Sequence, residues 1–549
     1  MRPDGKQEGL RQSMAWAHTW SGLVLGWLLY AVFLTGTLSF FLDEINQWMR
    51  PELHRSVAGP GTAQTAVDAM QRLAPDASTW TVTLPGARQA EVQASWRPPG
   101  AAQGRAGIQR AYLDAATGDT IETRDTRAGN FLYRFHFELY GMPRIWGRWI
   151  VGAATMFMFA AIISGVITHR KIFADFFTFR RNKGQRSWLD AHNATAVFAL
   201  PFHLVITFSG LLLLMGTLMP SPREALYGTE NAGRFIAELR GMNASAAPAG
   251  GGAGGRAGRN GGAPQAVQAD VAALLAQAHA RWDGSPVGAI VMTRQGSQPI
   301  LELREEHGQS LANRGQPRRL RFDGVSGGEL ESPATPAVSA VRATYNTMAS
   351  LHLGRFADPI VRWALFLSGV LGTLMVATGM MLWVSKRLPE RAKLGRTPAG
   401  HRLVEVLNVA AIAGMAVATA AYFFLNRLLP TGLAGRADWE INGFFIVWAL
   451  TLAHAAVRPD RCAWREQLGA ATALFAAIPL LNAWTGGQGL AASIPAGQWA
   501  VAGFDLAALL TGLLLAWAAV RIGKPRAGKP ARQPARAQAL APAAGEAAS

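Results

Sequence analysis

The stretch Trp188 to Leu214, WLDAHNATAVFALPFHLVITFSGLLLL, places His192 and His203 in an otherwise apolar run. At about 100° and 1.5 Å per residue, eleven steps along a helix return to within roughly 20° of the starting direction and climb roughly 16 Å. Both imidazoles are therefore expected on one helical face, at two depths of a membrane. Ionisable or ligating groups inside a membrane helix carry a desolvation cost, which makes them a functional hypothesis by default. Two stacked histidines suit two haems, one nearer each surface. Taken alone, His203 equally suits a hydrogen bond to the backbone freed by Pro201.

Half of the 549 residues are hydrophobic and the mean hydropathy is +0.12. That balance describes a multi-pass membrane protein with soluble insertions rather than one globular domain. Apolar runs near 17–42, 146–168, 193–219, 359–384, 403–425, 441–457, 468–484 and 500–520 predict eight spans. The net charge of +18 is not spread as a nucleic-acid stripe, so no nucleic-acid partner is expected. Basic residues sit instead in alternate loops: Arg170, Lys171, Arg180, Arg181, Lys183 and Arg186 after the second span, Lys386 to Arg402 after the fourth, Arg458 to Arg465 after the sixth, and a tail from Arg521. The positive-inside rule makes these loops and both termini cytoplasmic. The first span, too long for a signal-peptide core, is expected to be retained as an anchor. The single cysteine, Cys462, leaves no disulfide framework, thiolate cluster or CxxCH attachment, so any haem must be held by histidine.

The chain repeats itself. His18 is followed eighteen residues later by Gly36, and His192 eighteen residues later by Gly210. Each half then carries a soluble segment that reads as a helix followed by strands. The strands are expected at 79–84, 91–96 and 108–113, then at 289–293, 300–303 and 320–322, and each half ends in an acidic, glycine-containing turn. His136 precedes Pro143 by seven residues and His352 precedes Pro359 by seven. A proline suits the first turn of a helix, so these prolines are expected to open the second and fourth spans. Parallel repeats are related by an axis along the membrane normal. Such an axis brings His18 towards His192 on the inner side and His136 towards His352 on the outer side. His169 and His203 break the symmetry, and either replace a symmetric ligand or only line the sites.

These readings divide the chain into 1–42 (N-terminus and first span), 43–145 (first soluble segment), 146–219 (second span, basic loop and third span) and 220–358 (second soluble segment, with a Gly/Ala-rich insertion at 244–264). They continue as 359–402 (fourth span and loop), 403–521 (a C-terminal four-span bundle that looks appended) and 522–549 (basic tail). His54, His279 and His307 are read as surface residues of the soluble segments. Arg134, Arg144, Trp146, Arg148 and Arg355 lie beside the outer level, either to attract an anion or as interfacial anchors.

AHTWSGLVLGWLLYAVFLTG, LYRFHFELYG, SGVITHRKIFADFFTFRRNKGQRSWLDAHN with ALPFH, and LHLGRFADPIVRWALFLSGVLGTLMVATGMMLW together resemble the PepSY-associated transmembrane family over about the first 390 residues. The resemblance implies a bacterial inner-membrane protein that is mainly α: two parallel repeats, each a span, a PepSY-like periplasmic α+β segment and a second span. A four-helix C-terminal membrane bundle follows, for about eight transmembrane helices. The third and fourth stretches look like the iron-regulated branch that includes haem-containing siderophore reductases. That likeness implies His18, His136, His169, His192, His203 and His352 as the candidate ligand set, b-type haem as cofactor, two per chain, and a ferric siderophore as substrate. The C-terminal bundle departs from the shorter members and leaves an electron-input or partner role open.

Histidine-ligated haem passes single electrons, which a ferric to ferrous conversion requires. No Rossmann fingerprint is evident, so electrons are expected from quinol or a cytoplasmic reductase. Two other classes stand beside this one. A haem-free PepSY-type regulator of periplasmic proteases, or an envelope sensor, would need no ligating residues at two membrane depths. A metal or siderophore transporter would need broken helices and acidic groups at the midplane, where only Pro201 stands.

Overall fold

The computed structural model describes residues 9–102, 107–169, 173, 176, 179–180, 183–228, 264–306, 310–313, 317–332 and 338–523. Nearly all of the 244–264 tract, His307, part of the basic loop after the second span and nearly all of the basic tail lie outside them. Among the described residues, eight helices are long and apolar enough to cross a membrane: Gly26–Trp48, Arg144–Thr168, Leu200–Leu218, Pro359–Leu394, Ala399–Leu428, Arg436–Val457, Asp460–Trp484 and Trp499–Ile522. The protein is a mainly helical, multi-pass membrane protein with a small antiparallel sheet.

The helices begin and break where backbone chemistry directs. Asp358 caps the fourth span through Oδ1, which accepts from the Val361 amide at 2.8 Å, and Pro359 opens its first turn. Pro143 stands just before Arg144–Thr168. In the third span Pro201 has no N–H to donate, and the helix is interrupted at Ala199, dividing Gln185–Phe198 from Leu200–Leu218. His192 and His203 therefore stand on two successive helices, and both still face one cavity. The first span is also divided, with Leu10–Val24 ahead of Gly26–Leu38, here without a proline.

The two soluble segments join into a single sheet. Helix Thr62–Leu73 precedes β1 (Thr79–Thr83), β2 (Val92–Trp96), β3 (Gln109–Leu113) and β4 (Thr120–Ile121). Helix Val271–Arg281 precedes β5 (Val287–Gln295), β6 (Gln298–Glu305), β7 (Arg319–Asp323) and β8 (Glu329–Leu330). The strand order is β4-β3-β2-β1-β5-β6-β7-β8, with β1 antiparallel to β5 and Val82 opposite Ile290. Each half alone would leave β1 or β5 as a bare edge, and pairing the two edges satisfies both rows of backbone groups. Trp80, Val82, Ile290, Leu301, Leu303 and Phe322 form a core with the two helices, each side chain stabilising the unit by roughly 1.5–3 kcal/mol on burial. The acidic turns match in detail. Asp114 Oδ1 accepts from the Ala116 and Thr117 amides, Asp323 Oδ1 from those of Val325 and Ser326, and Gly118 and Gly327 take φ of 74° and 73°.

The C-terminal helices are not a peripheral attachment. The fifth span is 78% buried, against 17–44% for the other seven. Its sheet-proximal end is tied to the first soluble segment by buried polar groups. Trp48 Nε1 donates to Asp505 Oδ1 at 2.8 Å, Asn482 Nδ2 donates to Asp505 Oδ2 at 2.9 Å, and Arg427 donates to Asn482 Oδ1 at 2.8 Å while stacking over the Trp48 ring. Arg436 pairs with Glu440, which also accepts from Thr126 and Asn426. His54 belongs to this junction and not to the surface. It is 1% exposed, and its Nδ1 accepts from the Gln488 amide at 3.2 Å. Because that amide can only donate, the proton sits on Nε2, which donates to the Gln47 carbonyl at 2.9 Å. His279 is exposed, as expected.

Candidate functional site: two facing histidine pairs

Four of the six candidate histidines meet in two pairs. His18 faces His192 with ring centres 6.1 Å apart, and His136 faces His352 with ring centres 6.2 Å apart. The second pair lies nearer the sheet, because His136 and His352 come from the helices Gly129–Glu138 and Ala340–Leu353 that lead from the soluble segments into the second and fourth spans. Both pairs draw one ring from each repeat.

All four rings are held alike. Nδ1 of His18 bonds the Ala161 carbonyl at 2.8 Å, that of His136 the Val32 carbonyl at 2.7 Å, that of His192 the Met375 carbonyl at 2.8 Å and that of His352 the Ile206 carbonyl at 3.0 Å. A carbonyl only accepts, so each Nδ1 carries the proton and each Nε2 of the neutral ring keeps its lone pair. Among the described residues no protein group hydrogen-bonds these four Nε2 atoms.

Four residues beyond each acceptor carbonyl stands a glycine: Gly165, Gly36, Gly379 and Gly210. A Cβ there would lie 3.1 Å from Cε1 of His18, 2.6 Å from that of His136, 3.2 Å from that of His192 and 3.0 Å from that of His352. The ring reaches the helix backbone because the side chain is missing. Before each glycine stands a Ser or Thr whose hydroxyl reaches back to the same carbonyl: Ser164 to Ala161, Thr35 to Val32, Thr378 to Met375 and Ser209 to Ile206. In the sequence Gly36 and Gly210 stand out only as markers of the repeat. Ser/Thr-Gly at 35–36, 164–165, 209–210 and 378–379 was the available signal.

His203 and His169 do not join a pair. His203 is 1% exposed and packs edge-on to Phe33, 6.0 Å between ring centres, and among the described residues neither of its nitrogens has a hydrogen-bond partner. It lies against Gly372, seven residues before Gly379 on the fourth span, and so between the two levels. His169 ends the second span and accepts from Asn193 Nδ2 through Nε2 at 3.1 Å. Both line a cavity of about 250 Å³ together with His18 and His192, and Lys386 and Arg387 stand at its sheet-distal end. Near the sheet-proximal pair, Arg134 and Arg148 both bind the buried Glu138 carboxylate, so their charge is already partnered.

Among the described residues no three His, Cys, Asp or Glu side chains gather as a metal cluster. A closed tetrahedral site is thus unsupported there. Two imidazoles sharing one metal through Nε2, with bonds of roughly 2 Å, have ring centres about 6 Å apart. The two pairs and their free lone pairs fit an iron held from both sides in a planar macrocycle such as haem, and the His18–His192 pair lines the cavity just described. A carbonyl on the far ring nitrogen is the usual outer partner of a ligating histidine.

A search of curated proteins gives no match. The profile of the PepSY-associated TM region matches residues 15–386, which include all six candidate histidines, both halves of the sheet, the first three spans and most of the fourth. The chain belongs to the PepSY-associated transmembrane family.

Proposed function

We propose that the protein is a haem-containing inner-membrane oxidoreductase that passes electrons across the membrane to reduce ferric siderophore iron in the periplasm, in the service of iron acquisition. The observation that carries this reading is the pair of facing imidazole pairs, four rings with Nδ1 on a backbone carbonyl and Nε2 unengaged. His18 and His192 would hold one b-type haem and His136 and His352 a second. Haem held by two imidazoles supplies one-electron chemistry, with a potential set by its axial ligands, burial and hydrogen bonds. The chain's own part is to orient the four rings, fix their tautomer and keep water from the cavity.

Direction follows from charge. Basic residues cluster at the sheet-distal ends of the spans, which the positive-inside rule assigns to the cytoplasm together with both termini. The sheet and the His136–His352 pair then face the periplasm, where a ferric chelate would arrive. Ferrous iron is held less tightly than ferric by hard oxygen ligands, so reduction would promote release. Quinol or a cytoplasmic reductase would supply the electrons.

The test starts with the visible spectrum of the purified chain, which is expected to show a Soret band and sharp reduced bands of six-coordinate haem. The protein is then reduced without oxygen, freed of reductant and mixed with ferric siderophores one at a time. Haem reoxidation matched by trapped ferrous iron supports the function. No Soret band after ample haem supply rejects it in favour of a haem-free regulator. Reoxidation by some other acceptor, with failure across hydroxamate, catecholate and carboxylate chelates, rejects iron alone.

A further inference from the structure

One of the four ring supports differs from the rest. Ser209 Oγ lies 3.0 Å from His352 Nδ1, the same distance as the Ile206 carbonyl. Among the described residues Ser164, Thr35 and Thr378 bond backbone carbonyls only. The Ser209 hydroxyl proton is directed to the Val205 carbonyl at 2.6 Å, which leaves an oxygen lone pair facing the ring N–H. His352 Nδ1–H is thus shared between two acceptors, while His136 across from it has one, at 2.7 Å. Ser209 is fully buried, so water does not compete for the bond.

We propose that Ser209 is a positioning residue that makes His352 the more electron-donating ring of the sheet-proximal pair and so lowers the reduction potential of the iron held there. An acceptor on the far nitrogen raises the basicity of a ligating imidazole, and a more basic ligand favours the ferric state. The inference rests on the haem reading above. Its consequence is directional: the centre nearest the chelate becomes the stronger donor, while the His18–His192 pair, lacking such a hydroxyl, is unaffected.

The experiment is a potentiometric titration of the full-length, haem-loaded chain, followed by visible spectra, for wild type, S209A, S209T and S164A. Threonine already occupies the equivalent place at 35 and 378, so S209T is expected to keep both the fold and the hydroxyl. S209A is expected to shift one of two one-electron transitions upward by about threefold to tenfold in the reduction equilibrium, up to about 59 mV. S209T and S164A should stay at the wild-type values. Loss of one haem in S209A, but not in S209T, would also place the hydroxyl on the His352 ring. Equal behaviour of S209A and S164A, with two haems retained, overturns this inference and leaves the haem reading standing. A wild-type chain without a Soret band ends both.

Discussion

Gly36 and His136 meet so closely that a Cβ on the first would stand 2.6 Å from Cε1 of the second. No real side chain tolerates that approach, so either the ring or the helix must shift when one is added. On the proposed function, Gly36→Ala is therefore expected to release or distort the sheet-proximal centre, with haem content falling from two towards one per chain. At Gly165, Gly210 and Gly379 the corresponding distances are 3.0–3.2 Å, and alanine there should broaden the spectrum or shift the potential before haem is lost. Haem per chain and reduced-minus-oxidised spectra rank the four variants. A Gly36→Ala protein identical to wild type would mean that this ring does not hold the cofactor.

The pairing separates histidines that look alike in sequence. On the proposed function, His192→Ala and His352→Ala should each cost one haem while the other centre stays intact, because each pair loses one of two rings. His203→Ala should keep both haems, since its ring faces Phe33 and Gly372 rather than a second histidine. Haem stoichiometry of the three purified variants decides the matter. Loss of a whole haem in His203→Ala would require a ligand arrangement other than the two facing pairs.

Arg436 and Glu440 are both 0% exposed and bind each other one helical turn apart. Removing one partner strands the other charge, at a cost of about 3–5 kcal/mol. Arg436→Met should therefore lower the thermal midpoint markedly, while Arg436→Met with Glu440→Gln should recover part of the loss. A near-wild-type midpoint for the single variant would show that the junction of the fifth and sixth spans with Thr126 contributes little.

Burial, with Arg427 and Arg124 nearby, pushes the His54 imidazole down to about 3. The folded state thus prefers the neutral ring, and this contribution is fully present above the ordinary value of 6.5. It is lost progressively as pH falls from about 6.5 towards 3, by up to about 1.4 kcal/mol per pH unit. Protonation would set a second N–H against the Gln488 amide. Thermal midpoints from pH 7 to 4.5 should fall more steeply for wild type than for His54→Gln, and parallel slopes would exclude this residue as a source of acid sensitivity.

Sequence alone determined the eight spans, the duplication and the presence of imidazoles at two depths, because hydropathy, helical period and proline placement are local properties of the chain. It even paired the levels, since His18 and His192, and His136 and His352, occupy equivalent places in the repeat. Tertiary structure decided the rest. The joining of β1 to β5 is a contact between segments about 200 residues apart, and nothing in either strand names its partner edge. Likewise His192 rests on a carbonyl 183 residues away, a meeting that depends on how two spans pack. His203, grouped with His192 by an eleven-residue spacing, does share a cavity with it, but that only His192 meets a second histidine ring depends on how the spans pack. The Ser/Thr-Gly pairs were visible as letters but mute as chemistry: a glycine records that something comes close, and only the packed helices show that it is a histidine ring.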